Sequence, residues 1–110
     1  MVVKMTQAEL YQALKSIGYP VAYGSFSDPV TPPFIVYQFA YSNDMMADNV
    51  NYVTIDDFQV ELYTDKKDLA AEKKVQDKLK ELGLPYRKFE TYLDTEKLYQ
   101  ILYEVQLLGG

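Results

Sequence analysis

The chain has no cysteine and no histidine among its 110 residues. That absence removes disulfides, thiol nucleophiles, zinc sites of the Cys/His kind and the imidazole that most often serves as general acid or base. Any catalysis would fall to carboxylates, tyrosines, lysines or hydroxyls. A glycine-rich phosphate loop, a serine elbow and a dinucleotide fingerprint are all missing. No apolar run approaches membrane-spanning length, and Met1 to Met5 is interrupted too soon by Lys4 and Thr6 to form a signal h-region. The expectation is a chain that stays in the compartment where it is made. Positive charge is in the minority, with 11 Lys and Arg against 16 Asp and Glu and a net charge of −5. That balance repels phosphate backbones and anionic head groups, so neither nucleic acid nor a membrane is expected as a direct partner.

What is present makes up one ordinary globular domain: 48% hydrophobic, 25% charged, with five glycines and five prolines. No linker, repeat or low-complexity tract divides residues 1–110, and they are read as a single domain. Thr6-Gln7-Ala8-Glu9 matches a capping box, and Leu10, Leu14 and Ile17 follow at helical spacing until Gly18 and Pro20 stop them. The spacing predicts a helix over 6–17. Val21 to Phe26 suits a short strand, and Ser27-Asp28-Pro29 and Thr31-Pro32-Pro33 are turn chemistry. Phe34 to Ser42 alternates as a strand, with Ile35, Tyr37, Phe39 and Tyr41 on one face.

Asn43 to Asn49 reads as a long polar hairpin tip before alternation resumes over Asn51 to Tyr63. The apolar parity there is odd at Val53 and Ile55 but even at Phe58, Val60 and Leu62, which predicts a β-bulge near Asp56-Asp57. Ala71, Val75, Leu79 and Leu82 form the stripe of a second helix over 66–82, opposite solvated Lys73, Lys74, Lys78 and Lys80, and Gly83 and Pro85 end it. Tyr86 to Leu93 and Leu98 to Leu108 are two further strands around a turn at Asp94 to Lys97. The last sets Tyr99, Ile101, Tyr103, Val105 and Leu107 against Gln100, Glu104 and Gln106. The fold expected is α+β and two-layer: order α-β-β-β-α-β-β, a mainly antiparallel sheet of about four to five strands, two helices on one face and a projecting hairpin.

Paired carboxylates are the one catalytic constellation the composition allows, and Asp56, Asp57, Glu61, Glu90 and Glu104 lie on or beside strands. Adjacent strand residues point to opposite faces, so Asp56 and Asp57 cannot share a substrate unless the bulge realigns them; a solvated sheet face or a place in the bulge is the reading favoured for these acids. Asp44, Asp48 and Asn49 could offer oxygens to a hard cation but lack the loop grammar of an EF-hand, which favours a polar tip without a metal. Neither a catalytic residue nor a cofactor is expected, and the chain is read as not an enzyme. The surplus lies elsewhere. Eleven tyrosines are more than half-buried strands need, and Met45-Met46 sits in a polar tip, so Tyr41, Asp44, Met45, Met46 and Asp48 are the candidate interface. The tip is expected to become ordered on assembly.

Three segments, Phe34-Ile-Val-Tyr-Gln-Phe-Ala-Tyr-Ser-Asn, Phe58-Gln-Val-Glu-Leu-Tyr-Thr-Asp-Lys-Lys-Asp and Glu96-Lys-Leu-Tyr-Gln-Ile-Leu-Tyr-Glu-Val, resemble the tail-terminator, or tail-completion, proteins of long-tailed phages and Gram-positive prophages. The resemblance spans nearly the whole chain and is one of texture, without a catalytic signature. It implies a virion structural protein made in the bacterial host cytoplasm. Its subunits would close into a ring, a hexamer on assembly, that ends tail-tube polymerisation and joins tail to head. The implied partners are further copies of itself, the tail-tube protein and head-completion or connector proteins. A head-tail connector or minor capsid protein and a small monomeric binding module are the alternatives; a carboxylate-dependent hydrolase has no positive feature behind it.

Overall fold

A computed structural model of the chain describes residues 3–42, 45–47 and 50–108. Its elements, in chain order, are β1 (Val3–Lys4), α1 (Gln7–Lys15), β2 (Val21–Tyr23), β3 (Phe34–Ser42), β4 (Met45–Ala47), β5 (Val50–Val53), β6 (Ile55–Thr64), α2 (Leu69–Glu81), β7 (Arg87–Leu93) and β8 (Leu98–Leu108).

Helix α1 starts where the capping box predicts. The Glu9 amide donates to Thr6 Oγ1 at 3.1 Å and the Thr6 amide donates to Glu9 Oε1 at 2.9 Å, so two amides without helical partners are satisfied reciprocally. Gly18, at φ 109°, takes the chain out of the helix. Asp68 caps α2 by accepting from the Ala71 amide at 3.0 Å, and Gly83, at φ 73°, follows its last turn.

Six strands form one sheet in the order β1-β8-β6-β3-β2, with β7 also on β8. The centre is antiparallel: β3 runs against β6 from Phe34↔Tyr63 to Ser42↔Asp56, and β6 against β8 from Ile55↔Leu108 to Thr64↔Tyr99. β7 and β1 share the other edge of β8, β7 antiparallel along Leu98 to Glu104 and β1 parallel beside Leu107 and Leu108. β2 pairs with β3 in parallel, closed by bonds from the Ile35 amide to the Pro20 carbonyl at 2.8 Å and from the Gly24 amide to the Tyr37 carbonyl at 2.9 Å.

One side of the sheet carries the core. Ile35 and Tyr37 of β3, Phe58, Val60 and Leu62 of β6, and Ile101, Tyr103, Val105 and Leu107 of β8 pack with Leu10 and Leu14 of α1 and Ala71, Val75 and Leu79 of α2. These are the stripes that the periodicities predict, and together they make the two-layer α+β domain. Lys73, Lys74 and Lys80 are exposed as expected, while Lys78 is half-buried.

Three expectations are corrected. The β-bulge expected on β6 lies instead on β3, where the register shifts between Phe39 and Tyr41; β6 keeps an unbroken register with β8, so Ile55 and Phe58 lie on opposite faces, and Val53 belongs to β5. Asp56 and Asp57 therefore stay on opposite faces. Residues 45–47, assigned to a loop, are strand β4, antiparallel to β5 as a separate two-stranded ribbon between β3 and β6. The strand expected over 51–63 breaks at Thr54, where β5 gives way to β6.

Candidate functional site

The helix-free side of the sheet is built from the alternate residues of the same strands. Pairing sets Phe34 beside Tyr63 and Gln100, Val36 beside Glu61 and Leu102, and Gln38 beside Gln59 and Glu104. Its polar members bond along and across strands. Glu61 is 5% exposed and accepts from the Tyr63 hydroxyl at 2.7 Å and from Gln38 Nε2 at 2.9 Å, and Gln100 Nε2 donates to the Tyr63 hydroxyl at 2.9 Å. Burial first, and then donation to Glu61, push the Tyr63 hydroxyl up to about 12, so it holds its proton throughout the physiological range.

For Asp57 and Glu61 this overturns the reading of a solvated sheet face, while Glu90 bears it out. Glu61 and Asp57 are buried, Asp56 is half-buried with its side chain on the helix-facing side, and Glu104 is half-buried with an oxygen 3.9 Å from an Arg87 nitrogen. Glu90 is exposed and bonds to Lys67. Glu90 and Lys88 lie on the helix-facing parity of β7, where Lys67 and Lys88 converge on buried Glu72 of α2 at 2.6 Å and 2.7 Å. Burial raises the pKa of Glu72, but the two ammonium groups outweigh it and hold the carboxyl below its ordinary value.

The far end of the same face is a cleft of about 280 Å³ bounded by Tyr41, Asp57, Tyr86, Arg87, Glu104 and Gln106. Four strands contribute: Tyr41 comes from β3 just past the register shift, Asp57 from β6, Glu104 and Gln106 from β8, and Arg87 from the start of β7. A second, more apolar groove of about 630 Å³ lies under the 24–33 loop, between Phe26, Phe34 and Tyr63 on one side and Leu93 and Leu98 on the other. Phe34 links its walls, edge-on to Phe26 and stacked on Tyr63.

The edges of the sheet differ from its faces. β2 covers only Ile35 to Tyr37 of β3. The next outward amide, that of Phe39, donates to the Tyr23 hydroxyl at 3.1 Å, and past it no strand lies beside β3 on that side among the described residues. Phe39 and Tyr41 stand exposed there, Tyr41 at 54%. On the opposite edge β7 pairs only with β8 among the described residues, so seven residues present their outer backbone, with Phe89 and Tyr92 exposed.

Of the interface residues expected from sequence, Tyr41 is exposed and lines the cleft. Met45 and Met46 are in β4, opposite Val53 and Asn51, their side chains outside what the structure describes. Asn43, Asp44, Asp48 and Asn49 lie outside the described residues, and with them the oxygen-ligand reading of the tip. Among the described residues no group of three or more acidic side chains is placed to hold a metal ion. The sequence reading missed Tyr86, Arg87 and Gln106 as companions of Asp57; the parity slip beside Asp57 was the one local sign that this end of the sheet is irregular. No protein-family model matches the chain, and no curated protein matches it.

Proposed function

We propose that this chain is a structural subunit of a phage or prophage tail or neck, acting by closing into a ring with its own copies that ends the tail tube and joins it to the head. The observation that carries the reading is the pair of β edges, on opposite sides of one sheet, that have no neighbouring strand among the described residues: the 39–42 end of β3 and the whole of β7. An unpaired edge is a template for a further strand, and natural proteins blunt edges that have no partner. Two different edges on opposite sides favour a heterologous, head-to-tail contact, the kind that builds rings. Both carry exposed aromatics, Phe39 and Tyr41 on one and Phe89 and Tyr92 on the other, which give contact area at little entropic cost. The β4–β5 ribbon follows β3 in the chain as a separate two-stranded sheet. The partners beyond its own copies are, on this reading, the tail-tube and head-completion proteins named by the resemblance.

The test is sedimentation velocity and negative-stain imaging of concentrated protein, alone and with purified tail tubes. Closed rings, or a cap at one end of each tube, are the expected result. A monomer under both conditions refutes the reading and points to a small binding module. Replacing Met45 and Met46 together by Asp is expected to leave the melting temperature unchanged while abolishing rings.

A further inference from the structure

The apolar groove under the 24–33 loop is walled by Phe26, Val30, Phe34, Tyr63, Leu93 and Leu98, and none of its lining residues comes from a helix. At about 630 Å³ it lies within the usual range for ligand pockets. Phe34 stacks on Tyr63 with 5.0 Å between ring centres and takes Phe26 edge-on at 5.4 Å, while the Tyr63 hydroxyl is fixed between Glu61 and Gln100. The rings are thus held in place before anything binds, which lowers the ordering cost of a complex. Three exposed carboxylates also line the groove, Asp28 from the loop, Asp65 from the segment after β6 and Glu96 from the β7–β8 turn, against one ammonium, Lys97. None of these four charges forms an ion pair among the described residues, whereas Glu72, Asp77, Glu81, Glu90 and Glu104 each pair with a lysine or arginine.

We propose that this groove docks a segment of a partner protein in which a bulky apolar side chain stands next to lysine or arginine. The walls suit the apolar side chain, because enclosing it removes it from water and the aromatic rings give it a large contact area. Charge selects its neighbours: an acidic rim left unneutralised by the chain's own cations favours basic residues on the incoming segment and resists acidic ones. A lysine or arginine beside these rings gains a further attraction to their faces. With acids on both walls, Asp28 on the loop and Glu96 on the turn, the rim offers more carboxylates than one free amine can meet, which suits a chain with basic residues on either side of the apolar one. A second copy of this chain fits less well, because it brings a net charge of −5 toward a rim that is already acidic. The groove stands apart from the sheet edges on which the ring reading rests, so either can fail without the other.

Titration of the isotope-labelled protein with the acetylated and amidated tetrapeptide Lys-Leu-Phe-Lys, followed by amide NMR, tests the groove. Saturable shifts at Phe26, Val30, Phe34 and Leu98 are expected. The affinity is expected to exceed that for Glu-Leu-Phe-Glu and for Lys-Ser-Ser-Lys by about tenfold, the effect of losing either a few exposed charge pairs or the apolar contact. Asp28→Lys with Glu96→Lys reverses one charge on each wall at exposed positions and is expected to invert the preference between the Lys and Glu peptides. Val30→Asp is expected to weaken both. The proposal is overturned if the folded wild-type protein shows no saturable shift at these residues, if the Lys and Glu peptides bind it equally, or if the double variant, with a wild-type circular dichroism melt, keeps the original preference. Should the double variant not fold, the comparison of the three peptides on the wild-type protein decides. Equal binding of Lys-Ser-Ser-Lys and Lys-Leu-Phe-Lys also overturns it, as does phenethylammonium binding as tightly as the peptide, which assigns the groove to a free amine. Self-association in sedimentation velocity that Lys-Leu-Phe-Lys competes away and Val30→Asp abolishes would seat a second copy there and overturn it as well.

Discussion

Replacing Glu72 with glutamine tests how the second helix is pinned to the outer strand. Glu72 is 2% exposed in the first turn of α2, and each of its oxygens meets an ammonium, Lys67 Nζ at 2.6 Å and Lys88 Nζ at 2.7 Å. Two hydrogen bonds to charged groups would nominally contribute about 3–6 kcal/mol. Both lysines keep more than a third of their side-chain surface in water, at 39% and 37%, so screening takes much of that back. The amide oxygen introduced by Glu72→Gln would still accept from one lysine, and the other can turn into solvent. The expected loss at pH 7 is therefore about 1.5–3 kcal/mol, or about 5–12 °C in melting temperature for a domain of this size.

The pH dependence follows from the lowered pKa of Glu72, against an ordinary value of 4.5. A depressed folded-state pKa gives stability that is present above the unfolded value and lost as pH falls through the folded one. Urea melts of the two proteins between pH 7 and pH 3 are expected to show a gap that is constant above about pH 5 and narrows below it. The position of Glu72 near the helix N-terminus adds in the same direction, because the carboxylate, and not the acid, is favoured there. A gap below about 0.5 kcal/mol at pH 7, the range of an ordinary surface change, would refute the reasoning, as would a gap that persists undiminished at pH 3.

Leu79→Ala, at a wholly buried position of α2, is expected to cost about 2–5 kcal/mol in denaturant melts, and a loss under about 1 kcal/mol would mean that the helix does not face the sheet. Thr6→Ala removes the acceptor for the Glu9 amide and is expected to cost about 1 kcal/mol by the same measurement. Tyr63→Phe leaves buried Glu61 with Gln38 as its one side-chain donor among the described residues and is expected to cost about 1.5–3 kcal/mol. Generic glycoside, ester and phosphodiester substrates are expected to show no turnover above background; turnover abolished by substituting Glu61, Glu90 or Glu104 would contradict the structural role proposed for the chain.

The parts of the fold legible in the sequence are those governed by neighbours along the chain. The Thr6/Glu9 box, the four-residue spacing of Leu10 and Leu14 and of Val75 and Leu79, and the strict alternation of Ile101, Tyr103, Val105 and Leu107 need no knowledge of distant strands. The parity slip near Asp57 suggested a bulge on the strand that carries it, but β6 is regular there and the irregularity belongs to its partner β3, which only the register of the pair reveals. Strand β1 has two residues, below any periodic signal, and the parallel pairing of β2 is decided by how the 24–33 loop returns. Glu61 and Asp57 were misread for a related reason. An acid is buried when other strands bring donors to it, and Gln38, 23 positions away from Glu61, and Gln106, 49 away from Asp57, cannot be matched to them from one strand at a time.

The position of β8 in the sheet has a consequence for synthesis. This strand pairs with β6 along one side and with both β7 and β1 along the other, yet it follows every one of those partners in the chain. Until it leaves the ribosome β6 lacks one neighbour and β1 and β7 lack theirs, so the hydrophobic faces of Val60 and Leu62 wait half-covered for Ile101 and Tyr103. At a synthesis rate of about 5–20 residues per second that wait lasts seconds, long against the formation of either helix. Emergence of β8 is then the event that closes the core, and a chain truncated before Leu98 is expected to be digested by protease where the 110-residue chain resists.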